Sequence, residues 1–374
     1  MYGNRKAGNG RPLQQLSRAA PSMNSKPKRI HVLGGGPAGS AAAIAALSET
    51  PSVDIFEEST FPRHKVCGEF LSSEIAPLLE ALGLWQEFSL LRPARITRMI
   101  LHFGTRVSRS RLPEGAFGLS RYELDRLLFN KALREGARAS RLRKTPEDSA
   151  PEDAAENIFA KVLAIGRRSK SSKGSRLFGF KAHFKGPLDD AVELFFFRGG
   201  YVGVSAIENG FTNICGIAPE HVLGTYEFHI EDLITACPAL ADRLCPLTRI
   251  SRWFWVGPLV LGEQPHRFPP HNFYLAGDSL GFIDPFTGLG LVTAIGTGIR
   301  AGLAAARGSS VDEHLADCHR ILRRPKYLAG ILRAALTAGL AEKLGPLIPG
   351  GCLFRITRPA FLISKPINGP TSCG

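Results

Sequence analysis

Cysteine is sparse and unpatterned in this chain of 374 residues. Cys67, Cys215, Cys237, Cys245, Cys318, Cys352 and Cys373 are odd in number and widely spaced, and no two form a CxxC pair. That excludes a disulfide-built secreted module and a zinc module, predicts no metal site, and makes a reducing cytoplasm the default compartment. Long apolar runs are missing as well. Towards the C-terminus the uncharged stretches reach only 334–341 and the proline-broken 344–354, so no transmembrane span is expected. Residues 1–29 hold seven Lys or Arg and no acid, which is half of the net charge of +14. This tail lacks an apolar h-region and is therefore no secretory signal. It reads as a disordered, solvated extension rather than a nucleic-acid or membrane arm, with a transit peptide as the minor option. Met23, seven residues before Ile30, offers an alternative start.

What remains is globular, with 44% hydrophobic and 21% charged residues and a length that suits two domains. The organising stretch is 30–57. It runs as an apolar strand (Ile30–Leu33), a glycine turn, a helix of small residues (Ala41–Leu47) and a second strand ending at Glu57. Gly34-x-Gly36-x-x-Gly39 is a dinucleotide fingerprint. Its glycines allow the tight turn, the approach of backbone N–H groups to a pyrophosphate, and close helix–strand packing. The phosphates would sit at the positive helix end near Pro37, Ala38 and Ser40. Glu57 lies where an acid binds a ribose 2′-hydroxyl and repels a 2′-phosphate, which fits FAD or NAD and not NADP.

Residues 58–70 read as a loop that gathers His64, Lys65, Cys67 and Glu69. Chemically, Cys67 is either a thiol activated by its cationic neighbours or a small buried hydrophobe. Residues 72–92 and 228–245 read as helices, 95–107 as strand, and Ser120 with Glu123 as the capping box of a helix. The stretch 141–157 reads as a charged surface loop, 159–165 as a strand, and 166–174 as a turn and basic linker. Between 177 and 217, period-two phenylalanines and Gly or Asn-Gly turns predict an antiparallel sheet, the expected substrate domain. Phe195–Phe197 suit a substrate pocket and a plain core equally. A second strand–glycine turn–helix unit follows at 272–305, carrying Gly277-Asp278 and Gly288-Leu289-Gly290-Leu291, and would aim a second helix N-terminus at the same ligand.

The set GGGPAGS, FPRHKVCGEF, SRYELDRLL, AIGRRS, YVGVSAIENGFTNICG and YLAGDSLGFIDPFTGLGLVTA, over residues 30–305, resembles the geranylgeranyl-reductase-like FAD oxidoreductases. These belong to the wider class of p-hydroxybenzoate hydroxylase and the flavin halogenases. The resemblance implies an α/β fold: a glutathione-reductase-type Rossmann FAD-binding domain (30–72, 95–176, 270–325) with an inserted antiparallel β-sheet substrate domain (73–94, 177–269). A C-terminal helical segment (326–374) would follow. It also implies site roles. Glu57, followed by Glu58, would bind the adenosine ribose and Arg121 would approach the phosphates. Lys65, Val66, Cys67, Gly68 and Glu69 would line the isoalloxazine, with Cys67 the catalytic candidate and His64 and Glu69 positional ones. Asp278 after Gly277 would contact ribityl or pyrophosphate oxygens. Pro285 would face the ring, and Gly288, Leu289, Gly290 and Leu291 would offer N–H groups to the flavin N1–C2=O edge.

The pattern also departs from that class. A charged loop replaces the usual hairpin after the Arg121 helix, and Ile165-Gly166 replaces the hydroxylases' Asp-Gly, which leaves NAD(P)H or another reductant open as electron donor. Trp253-Phe254-Trp255 has the spelling of a halogenase WxW element, but its position marks it as aromatic strand packing. The amphipathic helix expected at 327–344 (Leu328, Ile331, Leu332, Leu336, Leu340) reads as a core cap, with weak membrane-surface contact as the minority alternative. The functional expectation is an FAD enzyme acting on a small hydrophobic, aromatic or isoprenoid-like substrate. It would either saturate a C=C bond or act as a monooxygenase through a C4a-hydroperoxyflavin in a dry pocket. A plain NAD dehydrogenase and a degenerate, non-catalytic flavoprotein are the competing classes.

Overall fold

The computed structural model describes residues 29–50, 52–142, 158–166, 176–260, 273–281 and 287–339. The expectations for the N-terminal tail, for most of 141–157 and 166–174, for Pro285 and for 340–374 lie outside those residues.

The chain builds a parallel sheet and a larger mixed sheet. Strand β1 (Arg29–Leu33) is central to the first, between β2 (Val53–Phe56) and β7 (Ile158–Leu163), with β6 (Arg138–Ser140) and β14 (Phe273–Leu275) at the edges. Every pairing here is parallel. Ile30, Val32, Ile55, Val162 and Leu163 are fully buried, as expected of a sheet covered on both faces.

One face is covered by α1 (Pro37–Leu47) and α8 (Gly290–Arg307). Their unusually close approach follows from sequence. A Cβ on Gly298 or Gly302 would lie 2.2 or 2.1 Å from the carbonyl oxygens of Ala38 and Ala42, so glycine on one helix meets alanine on the other and the backbones touch. Helix α4 (Arg121–Arg134) packs beside them.

The nine-stranded sheet has the order β12-β8-β11-β10-β9-β4-β5-β3, with β13 also paired to β8. Its members are β3 (Phe70–Ser72), β4 (Ala94–Phe103), β5 (Arg106–Gly118), β8 (Arg176–Lys185), β9 (Ala191–Phe197), β10 (Gly200–Ala206), β11 (Phe211–Pro219), β12 (Thr248–Arg249) and β13 (Phe254–Val260). The pairings are antiparallel except β4 with β9. The antiparallel run expected at 177–217 is therefore present.

Several boundaries differ from the sequence expectation. The single helix expected at 72–92 is two, α2 (Ile75–Ala81) and α3 (Trp85–Leu90), parted where Gly83 turns left-handed at φ +64°. After α5 (Glu220–Gly224), the helix expected at 228–245 is likewise two, α6 (Ile230–Thr235) and α7 (Pro238–Leu244), because Pro238 opens a new helix and cannot continue the old one. The strand expected at 95–107 turns at Gly104 into a hairpin, and its strands pair within the nine-stranded sheet rather than the parallel sheet. Helix α9 begins well before 327 and runs Val311–Thr337 through Pro325. Cys318, Leu322 and Ala329 on it cap a cluster with Leu33, Leu163, Phe273 and Leu275, whereas Ile331, expected on the inward face, points outward.

Candidate cofactor site

The cavity forms at the carboxyl ends of β1, β2, β7 and β14, where an open parallel sheet gathers loops and helix N-termini. Gly34 takes φ +98° and has no room for a side chain: a Cβ would lie 2.4 Å from the Ala164 carbonyl oxygen. Gly39 is equally constrained, its Cβ position falling 1.7 Å from the Gly34 carbonyl oxygen, so the third glycine of the fingerprint is required by helix–turn contact. Ser40 closes the turn, its hydroxyl donating to the Gly35 carbonyl at 2.8 Å.

Two helices present their N-termini to this cavity. The N-cap residues Gly36 of α1 and Leu289 of α8 make no side-chain capping bond, so the first backbone N–H groups are left for a ligand. The expected residues Gly34, Gly36, Pro37, Ala38, Glu57, Glu58, Lys65, Val66, Cys67, Gly68, Arg121, Gly277, Asp278, Gly288, Gly290 and Leu291 all line it. Gly39, Ser40 and Leu289 do not; they shape the turns behind it. Both strand–turn–helix units thus share one cavity, as their sequences suggest.

The Glu57 carboxylate, at the end of β2, accepts from Gly35 N–H at 2.8 Å and Ser59 N–H at 2.9 Å, and lies 3.5 Å from Arg63. Each oxygen retains acceptor capacity for a ribose hydroxyl. Arg121 is buried and held bidentately by Asp125, at 2.6 and 2.7 Å, one turn along α4. Burial alone would lower its pKa, but the Asp125 carboxylate dominates and raises it.

Lys65 makes no hydrogen bond or ion pair among the described residues. Desolvation, followed by the charges of Arg121 and Arg63, lowers its pKa. An amine so placed sheds its proton more easily and has its donors free for what the cavity holds.

Behind the loop lies a polar cluster of a different kind, which meets the cavity at Glu69 as expected. Glu69 is fully buried with φ +55°. Its carboxylate accepts from the Arg121 backbone N–H at 2.7 Å, pairs with His183 Nε2 at 2.7 Å, and receives the Lys181 ammonium. Desolvation works against the carboxylate, but these partners win and hold its pKa below the ordinary value. His64 faces this cluster rather than the cavity. It sits between the rings of Tyr122 and Phe254, at 5.0 and 4.8 Å, and edge-on to His183. Desolvation, then Lys181 and His183, lowers its pKa.

The Ser120 cap is present, accepting from Glu123 N–H at 3.2 Å, but the reciprocal half of the expected capping box is not. Glu123 pairs with Arg126, and the Ser120 N–H donates instead to Glu208 at 2.7 Å. A carboxylate from the β10–β11 turn has replaced the local one. Phe195 and Phe196 are spent in the core, stacked on His102 and Phe103. Trp253 packs against Phe180 and Phe184, as aromatic strand packing requires.

Sequence reasoning missed Lys181, His183 and Glu208. Phe178, Phe180, Ala182 and Phe184 advertise one inward face of β8, which makes Lys181 and His183 look solvated. The loop carrying Glu69 covers that second face. No group of three or more His, Cys, Asp or Glu among the described residues could hold a metal.

No protein-family model matches the chain. A stretch of 111 residues, 29% of the chain, is 33% identical to the flavin-dependent halogenase rdc2 of Metacordyceps chlamydosporia, of which it spans 21%. Among solved structures, the flavin-dependent brominase Bmp2 superposes with a TM-score of 0.66 at 16% identity, over 87% of this chain and 94% of that one. The flavin-dependent halogenase CmlS gives 0.67 at 19% identity, over 90% and 68%. A geranylgeranyl bacteriochlorophyll reductase-like protein of Thermoplasma acidophilum gives 0.60 at 15%, over 88% and 91%. By fold, then, the chain is similar to flavin-dependent halogenases and to a geranylgeranyl bacteriochlorophyll reductase-like protein.

Proposed function

We propose that the chain is an FAD-dependent enzyme that uses reduced flavin and oxygen to oxidise a small apolar or aromatic substrate, by halogenation or hydroxylation. In this reading the parallel sheet is a glutathione-reductase-type FAD-binding unit and the nine-stranded sheet an inserted substrate domain. The observation that carries it is the pair of uncapped helix N-termini, of α1 and α8, converging on one cavity that the Lys65–Gly68 loop lines. The first suits a pyrophosphate, and the second suits the charge that a reduced flavin carries on its N1–C2=O edge. A nicotinamide dehydrogenase would leave the second without a ligand. The FAD supplies the redox chemistry; the chain binds and orients it and keeps water from the ring.

Glu57 would bind the adenosine ribose. Arg121, already neutralised by Asp125, would steer phosphates through its remaining donors. Lys65 and Cys67 are the side chains offered to the reacting centre, Lys65 as hydrogen-bond donor or proton carrier. The oxidative version is favoured because rdc2, Bmp2 and CmlS are flavin-dependent halogenases; it does not lean on Trp253-Phe254-Trp255. The second reading, saturation of a C=C bond in an isoprenoid-like chain, is favoured by the geranylgeranyl bacteriochlorophyll reductase-like neighbour. NAD(P)H, or another reductant, is the external electron donor.

The deciding experiment reduces the FAD-loaded protein without oxygen, then either adds an isoprenoid alkene while oxygen is still excluded or admits oxygen with bromide and an electron-rich phenol. A phenol gaining bromine or oxygen supports the oxidative reading. An alkene gaining two hydrogens before oxygen enters supports the reductase, and neither product refutes both.

A further inference from the structure

Helix α9 has two faces of opposite character. Cys318, Leu322, Pro325 and Ala329 are buried at intervals of about one helical turn and hold the helix to the core. Between them an outward stripe carries Arg320, Arg323 and Arg324, then Tyr327 and Ile331. Tyr327 is 70% and Ile331 49% exposed. Arg320 pairs with Asp317, yet its side chain remains 78% exposed. From 318 to 341 the sequence contains no Asp or Glu at all. The helix cannot cross a bilayer, since no helix among the described residues is long and apolar enough.

The stripe is therefore basic along its first half and apolar along its second, with a tyrosine where the two meet. Water alone gives no reason to present an aromatic and a branched aliphatic side chain beside three guanidinium groups. A lipid–water interface does: guanidinium groups meet phosphates, the tyrosine ring sits at headgroup depth, and the isoleucine enters the acyl boundary. A nucleic acid would satisfy the arginines and leave Ile331 in water.

We propose that this face of α9 docks the protein on an anionic lipid surface. The proposal stands apart from the FAD reading, because none of these residues lines the cofactor cavity. The test is co-sedimentation of the full FAD-loaded chain with vesicles of phosphatidylcholine, alone or mixed with phosphatidylserine, at low and high salt. Binding should need phosphatidylserine and be lost at high salt. It should fall about a hundredfold in the triple variant Arg320→Glu, Arg323→Glu, Arg324→Glu, each basic side chain near an anionic surface contributing a several-fold factor. A charge-neutral variant, Tyr327→Ser with Ile331→Ser, should weaken binding while preserving its salt dependence, and keeps the test valid if the triple variant misfolds. An unchanged far-ultraviolet circular dichroism spectrum and denaturation midpoint in each variant separate a lost docking face from a lost fold. No sedimentation with phosphatidylserine vesicles overturns the proposal. So does binding that both variants leave intact, or variant-sensitive binding of duplex DNA or RNA in place of vesicles.

Discussion

Three helix N-termini beside the cavity, those of α4, α1 and α8, differ in what answers them. At α4 the positive end is filled by the protein itself: Ser120 caps it, Glu69 accepts the Arg121 N–H, and Glu208 accepts the Ser120 N–H. At α1 and α8 no side chain caps the end, and both open on one cavity. Polar groups that answer one another hold a fold together; polar groups left unanswered along a concave wall are prepared for a ligand. The contrast supports the proposed cofactor site more strongly than the glycine fingerprint does alone.

The largest effect should come from the contact that brings the two open ends together. Gly298→Val would drive a side chain into the Ala38 carbonyl, so it should destabilise the fold by more than about 3 kcal/mol and abolish flavin retention. Soluble yield and chemical denaturation check this. A variant that folds and keeps its cofactor would show that the α1–α8 contact is dispensable.

Next is the filled end. Glu69→Gln leaves the buried Lys181 without its counter-charge and should cost about 3 kcal/mol in denaturant unfolding. Glu69 also has a pH signature. Its folded pKa is depressed, so its contribution is complete above the unfolded carboxylate value and is lost as pH falls from about 4.3 through the folded pKa. The wild type should therefore lose stability in acid more steeply than Glu69→Gln does. Equal slopes would mean that the cluster is not held by the carboxylate's charge.

At the open side, Lys65→Met should leave the fold and its flavin in place, since it removes a cation crowded by Arg121 and Arg63. Turnover should nevertheless fall about a hundredfold, the scale of one positioned donor or proton carrier. Steady-state kinetics beside a flavin count would separate the two, and unchanged turnover would remove Lys65 from the chemistry. The smallest effect belongs to the cap: Ser120→Ala should cost about 1 kcal/mol and leave flavin content unchanged. A loss of flavin in that variant would blur the distinction between filled and open ends.

The open ends were legible in the sequence, and of the filled one only the Ser120 cap was. Gly34, Gly36, Gly39 and the 277–291 stretch announce themselves because a turn that approaches a ligand tolerates few residue types. The partners of α4's N-terminus come from positions 69 and 208, far along the chain, and no local pattern connects them to Ser120. Lys181 and His183 were hidden for a related reason: period-two alternation assigns a strand one buried face, and β8 has two. The helix breaks at Gly83 and Pro238 carried their own signals, which the apolar periodicity on either side outweighed.

The central claim, that the two open N-termini hold a flavin, is tested most directly by the visible absorption spectrum of the purified chain, before and after reconstitution with FAD. The account predicts the two bands of an oxidised, protein-bound flavin, bleached on anaerobic reduction and restored by air, with about one FAD released per chain on denaturation. A folded protein that stays colourless and does not take up FAD would contradict it.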